Sequence, residues 1–238
     1  MNEPHASDAP ASDAHASGPR SEIVDHYLET IFYIANEGDP VRPGRIAAWL
    51  GVSPPTVSVT LHRLEDEGWI HVASDRSVSL TAAGAEVARQ VVRTHRLAER
   101  WLTDVLGLDW TTADLEAQRL APGLSTVVTD RLDEVMGRPD TCPHGNVIPG
   151  RESPYGTLIP LSDLRPGVTA VVRRISEVAE HDAPQLLRQL DELELYPGVA
   201  VALTSDDQGI DALHIQTGDR VIALGTEVAH FIWIELQP

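Results

Sequence analysis

The chain of 238 residues contains no lysine; all 18 of its basic side chains are arginine. A GC-rich coding bias accounts for that as readily as a physical need, so nothing functional is drawn from it. A single cysteine, Cys142, excludes an intrachain disulfide and fits a reducing, cytoplasmic interior. No apolar run is long enough to span a bilayer, so no membrane partner is expected. The first twenty residues lack the basic start and apolar centre of a secretion signal. Their Ala, Ser, Asp and Pro content predicts a disordered tail over 1–20. Signatures of catalysis are missing as well. There is no nucleophile patterned with His and acid, no Gly-rich phosphate cradle and no pair of cysteines, so nothing calls for an enzyme.

Positive charge is scarce but unevenly spread. The chain holds 36 acids against 18 arginines, a formal charge of −18. Residues 41–100 carry eight arginines and six acids, a net +2, which leaves −20 for the rest. DNA affinity comes largely from replacing counterions at phosphates, so a reading surface needs local positive potential. An acidic body on a mildly basic head favours weak non-specific binding and argues against a protein that coats nucleic acid.

Periodicity places the elements. Ile23, Tyr27, Leu28, Ile31, Phe32 and Ala35 repeat at three and four, which predicts an amphipathic helix over 21–36. "RPGRIAAWLGVS" predicts a short helix broken by Gly51. Ser53 can cap the next helix, with Pro54 and Pro55 in its first turn and Val57, Leu61 and Leu64 facing inward. "WIHVA" and "VSLT" flank a tight turn at "SDRS". This order defines a winged helix-turn-helix domain over 21–84. A helical segment follows over 85–150, with helices capped by Thr81, by Thr111 or Thr112, and by Ser125; Pro122 should stop the middle one early. After a Pro/Gly-rich stretch and a linker over 151–157, the period shortens to that of strands. "VTAVVRRIS", "VAVALTS", "ALHIQTG", "RVIALG" and "HFIWIEL", interrupted by the helical "APQLLRQLDEL", predict a small SH3-like β-barrel over 158–238. The class is mostly α with β, in three parts.

The motifs "VASDRSVSLTAAG", "THRLAERWLTDVLGLD" and "CPHGNVIPG" resemble the diphtheria toxin repressor family of iron- and manganese-dependent transcriptional regulators. The resemblance runs from about Glu22 to the C-terminus, and the last part is also similar to the small ferrous-transport accessory domain. It implies a homodimer that reads a palindromic operator in double-stranded DNA, with Fe2+ or Mn2+ bound by the helical part. By matching, Ser53, Pro55, Thr56 and Ser58 face the major groove, and Arg63, Ser74 and Arg76 hold phosphates. Val59 departs from the pattern, because many members carry a Gln there. Valine makes only apolar contacts, so the operator is expected to differ. The bland alternatives are a helix-turn-helix that contacts protein and, for Arg76 alone, a solvated turn residue.

The family has two metal sets. The ancillary set maps to His95 and Glu99, four apart on one helix face, Asp114 in place of a His, and Glu177 and Glu180 in "SEVAE". Its bland counterpart is a His–Glu surface pair with solvated loop acids. The primary set is degraded. Where the family reads Glu-Ala-Cys-Arg-apolar-Glu-His, this chain has "EAQRLAP", with Gln118, Ala121 and Pro122 replacing three ligands. His26, Glu29 and Gln118 remain, a weak set for a transition ion. Cys142 and His144 form Cys-x-His in a Pro/Gly loop, a pattern more often structural. The tail histidines, His5 and His15, are read as incidental. Three functions stay open: a metal-responsive repressor with a degraded primary site, a metal-independent regulator of the same family, and a non-DNA protein-interaction module.

Overall fold

The computed structural model describes residues 21–38, 40–182, 184–207 and 211–237, so the expected disordered tail over 1–20 lies outside the described residues. The first part is the winged helix-turn-helix: α1 (Glu22–Asn36), α2 (Pro43–Leu50), α3 (Pro54–Asp66), β1 (Ile70–Val72) and β2 (Val78–Leu80). Gly51 ends α2 with φ 63°, a left-handed turn that glycine takes without strain. The side chain of Ser53 caps α3 by accepting from the Thr56 N–H. Leu28, Ile31, Ile46, Val57, Leu64 and Ile70 fill the core between these elements. Val41 joins the wing, because its carbonyl accepts from the Val78 N–H at 2.9 Å.

The second part is helical: α4 (Ala82–Asp104), α5 (Trp110–Leu120) and α6 (Thr126–Val135). Thr81 and Ser125 cap α4 and α6, as their spacing predicts. The cap of α5 is Asp109 and not Thr111 or Thr112. The Asp109 carboxylate accepts both the Thr112 N–H and its hydroxyl, at 3.0 and 2.7 Å. A carboxylate is the stronger acceptor at a helix start, so it turns the threonine into a donor. α5 stops at Leu120, and a single 3-10 turn carries Pro122. The core here is thin, made of Ala98, Leu102, Ala113 and Ala117. Val105, Leu115, Val127 and Val128 are exposed around it.

The third part is a six-stranded antiparallel sheet: β3 (Ile159–Pro160), β4 (Thr169–Ile175), β5 (Ala200–Asp207), β6 (Ala212–Thr217), β7 (Arg220–Gly225) and β8 (Ile232–Leu236), in the order β3-β8-β4-β5-β6-β7. Helices α7 (Glu177–Asp182), α8 (Pro184–Glu192) and α9 (Thr226–His230) interrupt it. The two acids of "SEVAE", Glu177 and Glu180, therefore lie in α7 and not in a loop; six residues are too few to display a helical period. Trp110 of α5 inserts into the core of this domain, and Val178 of α7 inserts into the core of the first. No helix among the described residues is long and apolar enough to cross a membrane.

Gly84, in the first turn of α4, lies against the wing hairpin. A Cβ there would stand 2.0 Å from the Trp69 carbonyl oxygen, whereas one at Gly123 would meet nothing within 4 Å. Gly84→Ala should destabilise the chain by about 1–3 kcal/mol, as overpacking does. Gly123→Ala should stay within roughly 0.5 kcal/mol. Urea denaturation of the two variants checks the contrast.

Candidate nucleic-acid interface and metal centre

The recognition surface is built on α3. Its inward stripe is buried, which leaves Ser53, Pro55, Thr56, Ser58, Val59 and Arg63 on the exposed side. Val59 is 74% exposed, an apolar side chain held in water by the helix behind it. The Ser53 and Thr56 hydroxyls lie 2.8 Å apart, and the Ser58 hydroxyl donates to the Pro54 carbonyl. Arg63 runs along the helix towards Glu67, at 3.5 Å. In the wing, Ser74 and Arg76 are both exposed. Arg76 has φ 65°, unusual for a side-chain-bearing residue, and its N–H donates to the Ala73 carbonyl. Asp75 shapes this turn through the Ser77 hydroxyl and N–H; these bonds, with Arg42 nearby, hold its carboxyl below the usual range.

Two further arginines escaped the sequence reading. Arg42 and Arg45, at the start of α2, line a cleft of about 610 Å³ together with Arg76. Arg42 donates to the Asp75 carbonyl at 3.0 Å, which ties the helix start to the wing. The available signal was the +2 charge of residues 41–100, which does not say which arginines converge.

The metal-ligating residues sort differently from the two sets implied by resemblance. His95, Glu99 and Asp114 come together, with one ligand atom from each within 4.8 Å of the others. His95 Nε2 lies 3.6 Å from Asp114 Oδ1. This is no surface pair: Glu99 is 2% exposed, and the side chains of His95 and Asp114 are 12% and 19% exposed. Glu99 belongs equally to a second group, with Cys142 and His144, all three buried. His144 Nδ1 stands 3.0 Å from Glu99 Oε1. The loop that delivers Cys142 and His144 is held by the Cys142 N–H on the Asn146 carbonyl and by the Ile175 N–H on the His144 carbonyl. At its turn, Gly145 has φ +87°, and a Cβ would stand 1.9 Å from the Arg173 carbonyl. The Trp110 ring packs edge-on against His144 at 4.8 Å.

Glu177 joins neither group. Its carboxylate accepts from the guanidinium of Arg96, which also donates to the Val147 carbonyl. The side chain of Glu180 lies outside the described residues. Of the primary set, His26 and Gln118 are exposed, and Gln118 donates to Asp114 at 3.0 Å. Glu29 accepts from the Tyr33 hydroxyl at 2.9 Å. His26 and Gln118 lie exposed, and Gln118 offers only a neutral carbonyl oxygen while its amide goes to Asp114, so these three make a poor donor set for a transition ion. The two groups sharing Glu99 fit one. Imidazole with two carboxylates suits Mn2+ or Fe2+, and a thiol with imidazole and carboxylate suits a softer divalent ion.

Electrostatics reinforce the pairing. Burial pushes the Glu99 carboxyl up, but His144, then His95 and Arg96, outweigh it and hold it well below the usual carboxylate range. Burial opposes charge on His144, while Glu99 and Cys142 raise its pKa well above the usual value. Burial likewise opposes charge on His95, and Asp114, Glu99 and Glu29 lift it to about 9.

Three family models match the chain in order. The N-terminal DNA binding domain of the iron dependent repressor matches residues 21–78, its metal binding and dimerisation domain matches 81–150, and the FeoA domain matches 159–236. The iron-dependent repressor IdeR of Mycobacterium tuberculosis is 37% identical over 229 residues, covering 90% of this chain and 99% of that one. The diphtheria toxin repressor of Corynebacterium diphtheriae is 34% identical over 224 residues, covering 90% and 97%. Among solved structures, a manganese-dependent transcriptional repressor in complex with manganese superposes with a TM-score of 0.80 at 28% identity, covering 90% of this chain and 100% of that one. A DNA-binding head, a helical segment and an SH3-like sheet in this order define a three-part metal-responsive regulator. The chain belongs to the iron-dependent repressor family.

Because His95 is held protonated to about pH 9, against an ordinary value of 6.5, a metal ion must displace its proton. The same elevation stabilises the metal-free fold fully below pH 6.5, and that contribution is lost as pH rises through about 9. Apparent Mn2+ affinity should therefore rise between these two values, with protons released on binding. Calorimetric titration in buffers of different ionisation enthalpy reads the release directly; the same heat in every buffer would contradict it.

Proposed function

We propose that the protein is a dimeric, DNA-binding transcriptional repressor of metal-homeostasis genes whose metal response runs through the centre at Glu99. The degraded primary set takes no part. The observation that carries this reading is the exposed first turn of α3 in a domain whose α2 start and wing bring Arg42, Arg45 and Arg76 to one cleft, on an otherwise acidic chain. Thr56, Ser58 and Val59 present a methyl, a hydroxyl and an apolar branch to base edges, and Pro55 packs beside them. Ser53, Arg63, Ser74, Arg76 and the two α2 arginines are assigned to phosphates, which position without specifying. The operator is palindromic because two copies of one chain present two α3 helices. The exposed Val105, Leu115 and Val128 flank the thin helical core and supply an apolar face for the second copy.

His95, Glu99 and Asp114 are assigned as ligands for Fe2+ or Mn2+, and Cys142 with His144 extends the centre. When bound, the ion supplies positive charge that draws these donors together. The chain's part is to bring α4, α5 and the 142–146 loop to one point. Glu177 serves Arg96 in this reading, and Glu180 carries no assignment. A reducing cytoplasm, in which Cys142 stays a thiol, suits such a centre. No catalysis is assigned.

A gel shift on the chain's own promoter, with Mn2+, with Fe2+ and with chelator, tests the scheme. Metal should strengthen binding, and equal affinity in chelator and metal would remove the metal response while leaving the DNA reading. Arg76→Ala should weaken all duplexes alike and flatten the salt dependence by about one charge. Thr56→Ala should relax base preference at a cost of about 1–3 kcal/mol in discrimination. Joint replacement of Val105 and Val128 by Asp should give a monomer by light scattering.

A further inference from the structure

The C-terminal domain touches the reading head in a way that the metal centre does not explain. Helix α7 is fastened at four points. The Val178 side chain is 7% exposed and sits in the core of the winged helix-turn-helix domain. The Glu37 carboxylate, at the end of α1, accepts both amino groups of Arg174 at 2.6 and 3.1 Å and also the Glu177 N–H at 3.3 Å. Glu37 thus caps the start of α7 from another domain. Glu177 is in turn held by Arg96 of α4. Finally, the His181 ring lies flat on Trp49 of α2, with centroids 4.1 Å apart and planes 3° apart. Tyr33 stacks on the same indole at 6.1 Å, and Arg45 lies over it at 5.3 Å.

Trp49 is the only large aromatic side chain on α2, and it is buried. α2 leads through Gly51 directly into α3, so whatever fixes the face of α2 fixes the angle at which α3 is presented. We infer that α7 is the positioning element of the reading head, with His181 stacked on Trp49 as its contact to α2. Glu177, which the family resemblance would give to metal, is spent on Arg96, and none of the four attachments contains a metal ligand of the Glu99 centre. The His181–Trp49 contact therefore acts on α2 without passing through the Glu99 donors, and the ion adds to the arrangement that this contact sets. The consequence for DNA rests on the repressor reading; the consequence for α2 does not.

The test uses the full chain as parent, His181→Ala and His181→Phe. Amide hydrogen exchange of α2 is measured without DNA, and affinity for the promoter duplex in chelator and in Mn2+. In His181→Ala, α2 should exchange faster and affinity should fall about two- to thirtyfold in both conditions, the usual range for coupling through packed contacts. Its salt dependence should match the parent's, because no phosphate contact is lost. His181→Phe keeps a flat ring on Trp49 and should restore both exchange and affinity, which a general loss of folding would not allow. Unchanged α2 exchange in His181→Ala, or a Phe variant no better than Ala, would overturn the inference. A changed salt slope would too, since it would make His181 a DNA contact. If the parent binds no duplex, the repressor reading falls and the exchange arm alone decides the positioning role.

Discussion

A single buried carboxylate organises the molecule. Glu99 sits midway along α4 at 2% exposure, where an isolated charge would be costly. It stays ionised because His144 approaches from the 142–146 loop and His95 lies one turn earlier on the same helix. That loop is bound to β4 through the His144 carbonyl and the Asn146 side chain, so the requirement to neutralise Glu99 draws the helical segment and the SH3-like sheet to one place. In the proposed metal centre a divalent cation would take over this neutralisation from the protons on His95 and His144.

Around this point the three parts interlock by exchanging side chains. Trp110 leaves the helical segment to fill the sheet domain's core, and Val178 leaves the sheet domain to fill the reading head's. Arginines do much of the fastening: Arg96 to Glu177, Arg174 to Glu37, Arg151 to Asp133. Planar guanidinium groups make two directed bonds each and suit such partly buried joints. The acidic excess lies outside residues 41–100, the stretch from just ahead of α2 to near the end of α4, which has a slight positive balance. An acidic body behind a small basic face disfavours indiscriminate DNA binding and leaves selectivity to α3.

Much of the fold was legible because its cues are local. The three-and-four spacing of Val57, Leu61 and Leu64 set the buried side of α3, and so which side Thr56, Ser58 and Val59 occupy. Ser53, Thr81 and Ser125 announced helix starts, and Pro122 marked an early stop. α7 was not legible, since it is too short for a period, nor was the Asp109 cap, where a stronger acceptor sits just ahead of two plausible ones. The site divided along the same line. His95 and Glu99 share a helix face, so spacing alone placed them together. Cys142 and His144 read in sequence as a lone pair in a Pro/Gly loop, because the third member of their group, Glu99, lies far away in the chain and only the packing of that loop on β4 brings it near. Glu177 matches a ligand position by resemblance, while in the structure its carboxylate pairs with Arg96, one residue after His95, a partner that no local spacing announces.

The central claim is that metal binds at Glu99 and not at the remnants of the primary set. Cobalt(II) titration followed by absorption tests it most directly, because thiolate ligation adds a charge-transfer band that oxygen and nitrogen ligands do not. The account predicts Co2+ binding that is lost in Glu99→Gln, with the charge-transfer band vanishing in Cys142→Ser, while His26→Ala with Gln118→Ala leaves the titration unchanged. Full-affinity binding in Glu99→Gln, together with its loss in the His26/Gln118 pair, would contradict it.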